Sequence, residues 1–304
     1  MKTKIYIITL LAVLAAGISH AELVGMWNFS EGTGENTYSE VGDFTLQRGT
    51  SQSDWANPLW YEDGLSGYCF LFENDKGESE NDRDFLTPLD GVDVSAVITP
   101  EFTIDAWVKL NSLPVGFSSN DPYYLVWAGD MENVTSNNYF IRMDQSGLRY
   151  ASFIGGFYYD DNGTPTYNRF IHTTRLEPGL WYRLVFSYDP SLPGGNAKLW
   201  VNGELYSEDS NLVPITDGYT TPWFVLGAAR QSGSQYRSFD GLIDQFRFYD
   251  HAVQDLSELD EGDCNYPGTE RNTADINGDC IVNMLDFSSI AQSWLMNTDP
   301  TNVE

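Results

Sequence analysis

The stretch Phe102-Thr103-Ile104-Asp105-Ala106-Trp107-Val108-Lys109-Leu110 is apolar at every even position, and Thr103, Asp105 and Lys109 fall on odd ones beside Trp107. A period of two with one apolar face is a β-strand laid on a core. The same alternation runs through Trp181 to Tyr188, where Tyr182, Leu184, Phe186 and Tyr188 share a side, and through Lys198 to Val201. The last of these leads into Asn202-Gly203, a favoured hairpin turn because both residues tolerate positive φ. Further strands are expected at Leu23 to Phe29, Gly67 to Phe72, Tyr123 to Ala128, Tyr139 to Met143, Leu148 to Phe153, Trp223 to Gly227 and Leu242 to Tyr249. No long 3.6-residue period interrupts them. About a dozen short strands, divided by Gly, Pro, Asn and Asp clusters, predict an all-β antiparallel sandwich or barrel.

The flanks of this body differ in character. Lys2 and Lys4 precede an apolar run from Ile5 to Ile18, and Ser19-His20-Ala21 offers small residues for cleavage, so residues 1–21 read as a signal peptide. The run is short of the roughly 20 residues that a bilayer requires, and no Cys follows it, so no membrane anchor is expected and the chain reads as secreted. Ala252 to Leu259 has room for one or two helical turns, and a polar stretch containing Pro267 and Gly268 places a boundary near Asp260. Beyond it Phe287, Ile290, Ala291, Trp294 and Leu295 recur at helical spacing. The expected organisation is therefore a body over 22–259 and a smaller segment over 260–304.

Charge narrows the partners. The chain carries 44 Asp plus Glu against 16 Lys plus Arg, a formal net charge of -28. Removing Lys2 and Lys4 with the signal leaves 14 basic residues against 44 acidic ones, about -30. Such a surface repels phosphate, which excludes nucleic acid as a partner and disfavours an anionic membrane. Export permits disulfides. Pairing Cys264 with Cys280 closes a short loop worth about 3 kcal/mol, leaving Cys69, within Tyr68 to Phe72, as a buried small hydrophobe.

Before the C-terminal helical pattern stands Asp275-Ile276-Asn277-Gly278-Asp279-Cys280-Ile281-Val282-Asn283-Met284-Leu285-Asp286. Counting from Asp275, side-chain oxygens fall at positions one, three, five, nine and twelve (Asp275, Asn277, Asp279, Asn283, Asp286), and Ile281 at position seven offers its backbone carbonyl. This EF-hand-type spacing gathers six hard oxygen donors around Ca²⁺. Cys280 replaces the usual Gly at position six, and Asp replaces Glu at twelve. With Asp286-Phe287 leading into Ser293-Trp294-Leu295, the segment resembles one repeat of the dockerin family, including those two departures. Dockerins usually carry two repeats and bind a cohesin. With one repeat visible, the resemblance implies calcium binding and leaves a cohesin-like partner open.

The body resembles the concanavalin A-like, laminin G-like family of secreted jelly-roll proteins. The resemblance rests on an ordered set of stretches: Leu23-Val24-Gly25-Met26-Trp27-Asn28-Phe29 with Glu31-Gly32-Thr33-Gly34, Phe102 to Val108, Trp181 to Asp189, Leu199 to Glu204, and Gly241 to Asp250. It covers about residues 22–259. Phe72 to Asp84, with six carboxylates in thirteen residues, departs from the family's Asp-Gly pattern after Phe. By alternation Asp244 shares a side with Leu242, Phe246 and Phe248, which turns a carboxylate toward the apolar layer. There it accepts backbone N–H bonds, pairs with an arginine, or, as in related folds, helps to hold a second Ca²⁺.

Many glycan-active proteins share this sandwich, so function is read from sites. A glycoside hydrolase needs two carboxylates placed about one bond. The nearest text to the glucanase pattern, Glu258-Leu259-Asp260-Glu261, lacks strand alternation, and His172 and His251 accompany no nucleophile motif. A non-catalytic, calcium-associated carbohydrate-binding or adhesion module is the expected function. The alternatives are a protein-interaction module, which would recognise a surface protein or join an extracellular complex through the dockerin-like segment, and a polysaccharide-degrading enzyme. Sugar recognition uses aromatic platforms beside amides and carboxylates. Phe157, Tyr158, Tyr159, Asp160 and Asn162, followed by Tyr167, supply that chemistry for an extracellular glycan, and cross-strand packing of aromatics in a hairpin is the alternative reading. Calorimetric titration of residues 261–304 with Ca²⁺ should show near one-to-one binding, and no binding at millimolar Ca²⁺ would contradict the loop reading.

Overall fold

The computed structural model describes residues 21–259 except 50–56, 66, 74–83, 91, 96–98, 100, 115–121, 131–137, 147–149, 162–163, 172–174, 192–196, 210–221 and 231–235. The expected signal peptide up to residue 20, the calcium loop (Asp275, Asn277, Asp279, Ile281, Asn283, Asp286) and the Cys264 and Cys280 pair lie outside the described residues.

Two antiparallel sheets face each other across an apolar core. The first runs in the order β14 (Glu204–Asp209), β13 (Ala197–Val201), β12 (Trp181–Tyr188), β7 (Phe102–Leu110), β18 (Gly241–Tyr249), β5 (Cys69–Phe72) and β4 (Leu59–Tyr61), with β1 (Leu23–Trp27) also paired to β18. The second runs β11 (Thr164–Ile171), β10 (Tyr150–Asp161), β9 (Asn138–Ser146), β8 (Tyr123–Asp130), β15 (Pro222–Leu226), β6 (Leu86–Pro88), β3 (Thr45–Arg48) and β2 (Asn36–Tyr38). A third pair, β16 (Ala228–Arg230) and β17 (Tyr236–Ser238), completes the set. This is an all-β antiparallel sandwich, one of the two forms that the alternation predicts, and of the jelly-roll type that the resemblance implies; each expected strand has its counterpart. The Asn202-Gly203 turn has φ of 50° and 84°, the left-handed pair that lets β13 fold directly onto β14.

Alternation decides what enters the core. Ile104, Ala106, Val108 and Leu110 of β7 meet Leu184 and Phe186 of β12 on the inner face, opposite Tyr139, Ile141 and Phe153 of the second sheet. Phe102 stacks on Tyr139 at 4.1 Å between ring centroids. Burying each such large side chain contributes about 1.5–3 kcal/mol. Cys69 is fully buried, and burial pushes its thiol up to about 12.

The outer face of the first sheet is also covered. The segment after β18 crosses it, so that Val253 and Leu259 pack with Val185, Trp200 and Tyr249. The Thr103 hydroxyl donates to the carbonyl of His251 at 2.7 Å and accepts from the Val253 N–H at 3.0 Å. The segment ends in a single 3₁₀ turn, Leu256–Glu258, capped by Asp255. Glu258, the first residue of the glucanase-like text, spends its carboxylate on that cap by accepting from the backbone N–H groups of Gln254 and Asp255.

At the centre of this outer face Asp105 is fully buried between two arginines. Arg183 donates from Nε at 3.1 Å and Nη2 at 2.8 Å, and Arg247 donates from Nη1 at 3.3 Å. Burial pushes the Asp105 carboxyl up, but Arg183 and then Arg247 outweigh it, so the net shift is down. Its contribution to stability is therefore present above the ordinary carboxylate value and lost as pH falls through the depressed one. Asp105→Ala removes the carboxylate that Arg183 and Arg247 share at this buried point and should cost about 3–5 kcal/mol, read from the urea midpoint.

One expectation needs correction. Asp244 does not share a side with Phe246 and Phe248. A bulge between Asp244 and Arg247 shifts the register against β7, so that Asp244 lies opposite Trp107 and Arg247 opposite Asp105. The extra residue is Gln245, whose φ of 45° is left-handed. Ile243, Phe246 and Phe248 enter the core, and Asp244 stays with the outer-face set.

Candidate functional site

The loop between β4 and β5, described at residues 62–65 and 67–68, helps to build a cleft. Together with Gly32, the side chains of Trp60, Tyr61, Glu62, Asp63 and Tyr68 line an open cleft of about 710 Å³. Because strand side chains alternate, Trp60 points inward and packs on Phe70 at 4.0 Å between centroids, while its neighbour Tyr61 is 43% exposed. Trp60 is further fixed by its indole N–H, which donates to the carbonyl of Gly34 at 2.9 Å. One wall is thus held rigidly from two directions.

Tyr68 also lines the cleft. Its hydroxyl donates to Glu62 at 2.9 Å, and that hydrogen bond, with the charge of Glu62, raises the phenol's pKa and keeps it a donor. Gly32, at φ 65°, lies against the Tyr68 ring so closely that a Cβ there would come within 2.4 Å of it. Asp63 is ion-paired with Lys109 Nζ at 3.2 Å, and that ammonium sits 5.9 Å from the centre of the Trp181 ring.

Asp244 anchors the loop to the sheet. Its Oδ2 accepts from the Leu65 N–H at 2.7 Å, and its Oδ1 accepts from the Gln245 N–H at 2.8 Å. Gly64 makes the approach achievable, since a Cβ there would meet Asp244 Oδ2 at 2.9 Å and the Tyr68 carbonyl at 2.6 Å. Burial raises the Asp244 carboxyl to about 7, against the opposing pull of the two N–H groups and of Arg247. Among the described residues no group of three or more His, Cys, Asp or Glu side chains is placed to hold a metal ion.

The residues expected to bind a ligand sit elsewhere. Phe157, Tyr158, Tyr159 and Asp160 lie on β10 and Tyr167 on β11, in a hairpin at one edge of the second sheet with Tyr158 opposite Tyr167. Their side chains, and Asn162 entirely, lie outside the described residues. The cleft residues were not singled out by alternation because β4 has three residues. The legible signal was an aromatic pair, Trp60-Tyr61, running into the acidic turn Glu62-Asp63-Gly64.

A profile of the concanavalin A-like lectin/glucanases superfamily matches residues 89–256, and the chain belongs to that superfamily. Among solved structures it is similar to domain 4 of AbnA, a GH43 extracellular arabinanase from Geobacillus stearothermophilus, in complex with arabinotriose. The TM-score is 0.51 at 17% identity, over 77% of this chain and 95% of that one. It is also similar to the binding domain of Paraclostridial Mosquitocidal Protein 1, with a TM-score of 0.50 at 13% identity, over 78% of this chain and 50% of that one. At these identities the likeness shows the fold. No curated protein matches the chain.

The loop anchor has a pH signature. With its pKa raised from 3.8 to about 7, Asp244 holds a proton in the folded protein that the unfolded chain has already released. This site's contribution to stability is then fully present below the ordinary value and lost as pH rises through about 7. A carboxyl NMR titration should place the Asp244 midpoint near 7 with the Leu65 amide shift following it, whereas a midpoint at the ordinary value would contradict the buried geometry.

Proposed function

We propose that the chain is a secreted, non-catalytic carbohydrate-binding module whose sandwich presents a glycan site at the Trp60–Tyr68 cleft. The observation that carries this reading is a cleft lined by one exposed ring, Tyr61, and two supported rings, Trp60 and Tyr68, together with the carboxylates Glu62 and Asp63. Sugars offer a flat C–H face to aromatic rings and hydroxyls to acceptors, and a cleft of this composition meets both. The likeness to a domain solved with arabinotriose supports a saccharide ligand.

Binding is favoured over hydrolysis by the way the two carboxylates are engaged. Glu62 accepts from Tyr68 and Asp63 is paired with Lys109, and the two are neighbours on one loop instead of facing each other across a bond. Calcium belongs to the proposal through the C-terminal loop, where Asp275, Asn277, Asp279, Asn283 and Asp286 with the Ile281 carbonyl would hold it. No contact at the cleft is routed through that ion.

A glycan array on the full chain with Ca²⁺ present should show binding to uncharged or amine-bearing glycans. Tyr61→Ala should weaken it at least about tenfold, equivalent to about 1.4 kcal/mol. Changing Tyr158 and Tyr159 to Ala should leave it unchanged. Binding lost only in the second variant would move the site to the β10–β11 hairpin. An absence of glycan binding would favour a surface-protein partner, and turnover of a polysaccharide would restore the enzyme reading.

A further inference from the structure

The cleft's charges are unequal. Asp63 is compensated by Lys109, whereas Glu62 has no cation partner among the described residues and engages only the neutral hydroxyl of Tyr68. An ionised carboxylate can accept about four hydrogen bonds, so Glu62 retains most of its acceptor capacity. Among the described residues no basic side chain lines the cleft, and beside Gly32 and Asp63 its other walls are the rings of Trp60, Tyr61 and Tyr68.

Aromatic faces around an uncompensated carboxylate suit one ligand group above others. A protonated amine is drawn to the negative faces of the rings and donates charge-assisted hydrogen bonds to the carboxylate. A neutral hydroxyl gains only the weaker part of this, and a sugar carboxylate or sulfate finds no donor of opposite charge and meets repulsion. The Lys109 ammonium is already committed to Asp63 and lies by Trp181. The Tyr68 hydroxyl, oriented by Glu62, in turn fixes the carboxylate so that its free lone pairs are pre-set for an incoming donor.

We propose that the Trp60–Tyr68 cleft selects glycans that carry a free, protonated amine, with Glu62 as the group that reads the charge. This rests on the carbohydrate-binding reading above. A lost charge-assisted hydrogen bond in a half-open site should appear as about a tenfold change in affinity.

The test is calorimetric titration of the full chain with three trisaccharides of equal length, at mildly acidic pH and near-physiological salt. They are the free-amine glucosamine trimer, its N-acetylated counterpart and a neutral glucose trimer. The free-amine trimer should bind at least about tenfold more tightly than either of the others. Glu62→Gln should abolish that preference, so that within this variant the free-amine trimer binds no more tightly than the neutral one. Glu177→Gln, an exposed carboxylate outside the cleft, should change nothing. Because the chain carries a formal charge of -28, a preference that survives Glu62→Gln would mark bulk attraction and overturn the assignment. Equal affinity for the free-amine and acetylated trimers, with both lost in Tyr61→Ala, would overturn the selectivity and leave the carbohydrate site standing. Failure to bind any saccharide would remove both.

Discussion

Asp105 is the constraint from which the outer face of the first sheet is built. Its carboxylate receives a two-pronged contact from Arg183 of β12 and a third bond from Arg247 of β18, so one side chain of β7 ties three adjacent strands together. A buried triad of this kind adds little stability over a well-packed apolar set. What it supplies here is register. Arg247 stands opposite Asp105 only because the chain gains one residue at Gln245, and Arg247 also donates to the Gln245 side chain at 3.4 Å. A non-glycine residue in the left-handed region costs roughly 1–2 kcal/mol, and the contacts of Asp244 and Arg247 with Gln245 offset part of it. The bulge keeps Asp244 on the outer face, and from there Asp244 holds the Leu65 N–H and with it the loop that forms the cleft. The cleft loop is thus tied to the bulge of β18.

Much of this architecture was legible in the residues. Long central strands such as Phe102–Leu110 and Trp181–Tyr188 show enough turns of alternation to declare which face is buried. Strands of three residues, such as Leu59–Tyr61 and Leu86–Pro88, cannot show a period, and the cleft happens to rest on one of them. The bulge was hidden for a different reason. Left-handed residues announce themselves as Gly or Asn, and Gln245 does neither, so simple alternation carried Asp244 to the wrong face. The partners of Asp105 lie 78 and 142 residues away, a separation at which composition says nothing about pairing.

The β10–β11 hairpin advertises itself by composition, with four aromatic residues among Phe157, Tyr158, Tyr159 and Tyr167. β4 and the loop after it have three: Trp60 is supported by Phe70 and Gly34, Tyr68 by Gly32 and Glu62, and Tyr61 is left open to solvent. Pre-organised rings lose little freedom on binding, which favours a shallow site that has few hydrogen bonds to offer.

The most direct test of this account is an NMR titration of the full chain with an oligosaccharide that it retains. The account predicts that the largest shifts fall on the Trp60 indole N–H, Gly32, Tyr61 and the Leu65 amide, with the β10–β11 hairpin unmoved. Shifts confined to residues 157–167, with the Trp60 indole unchanged at saturation, would contradict it.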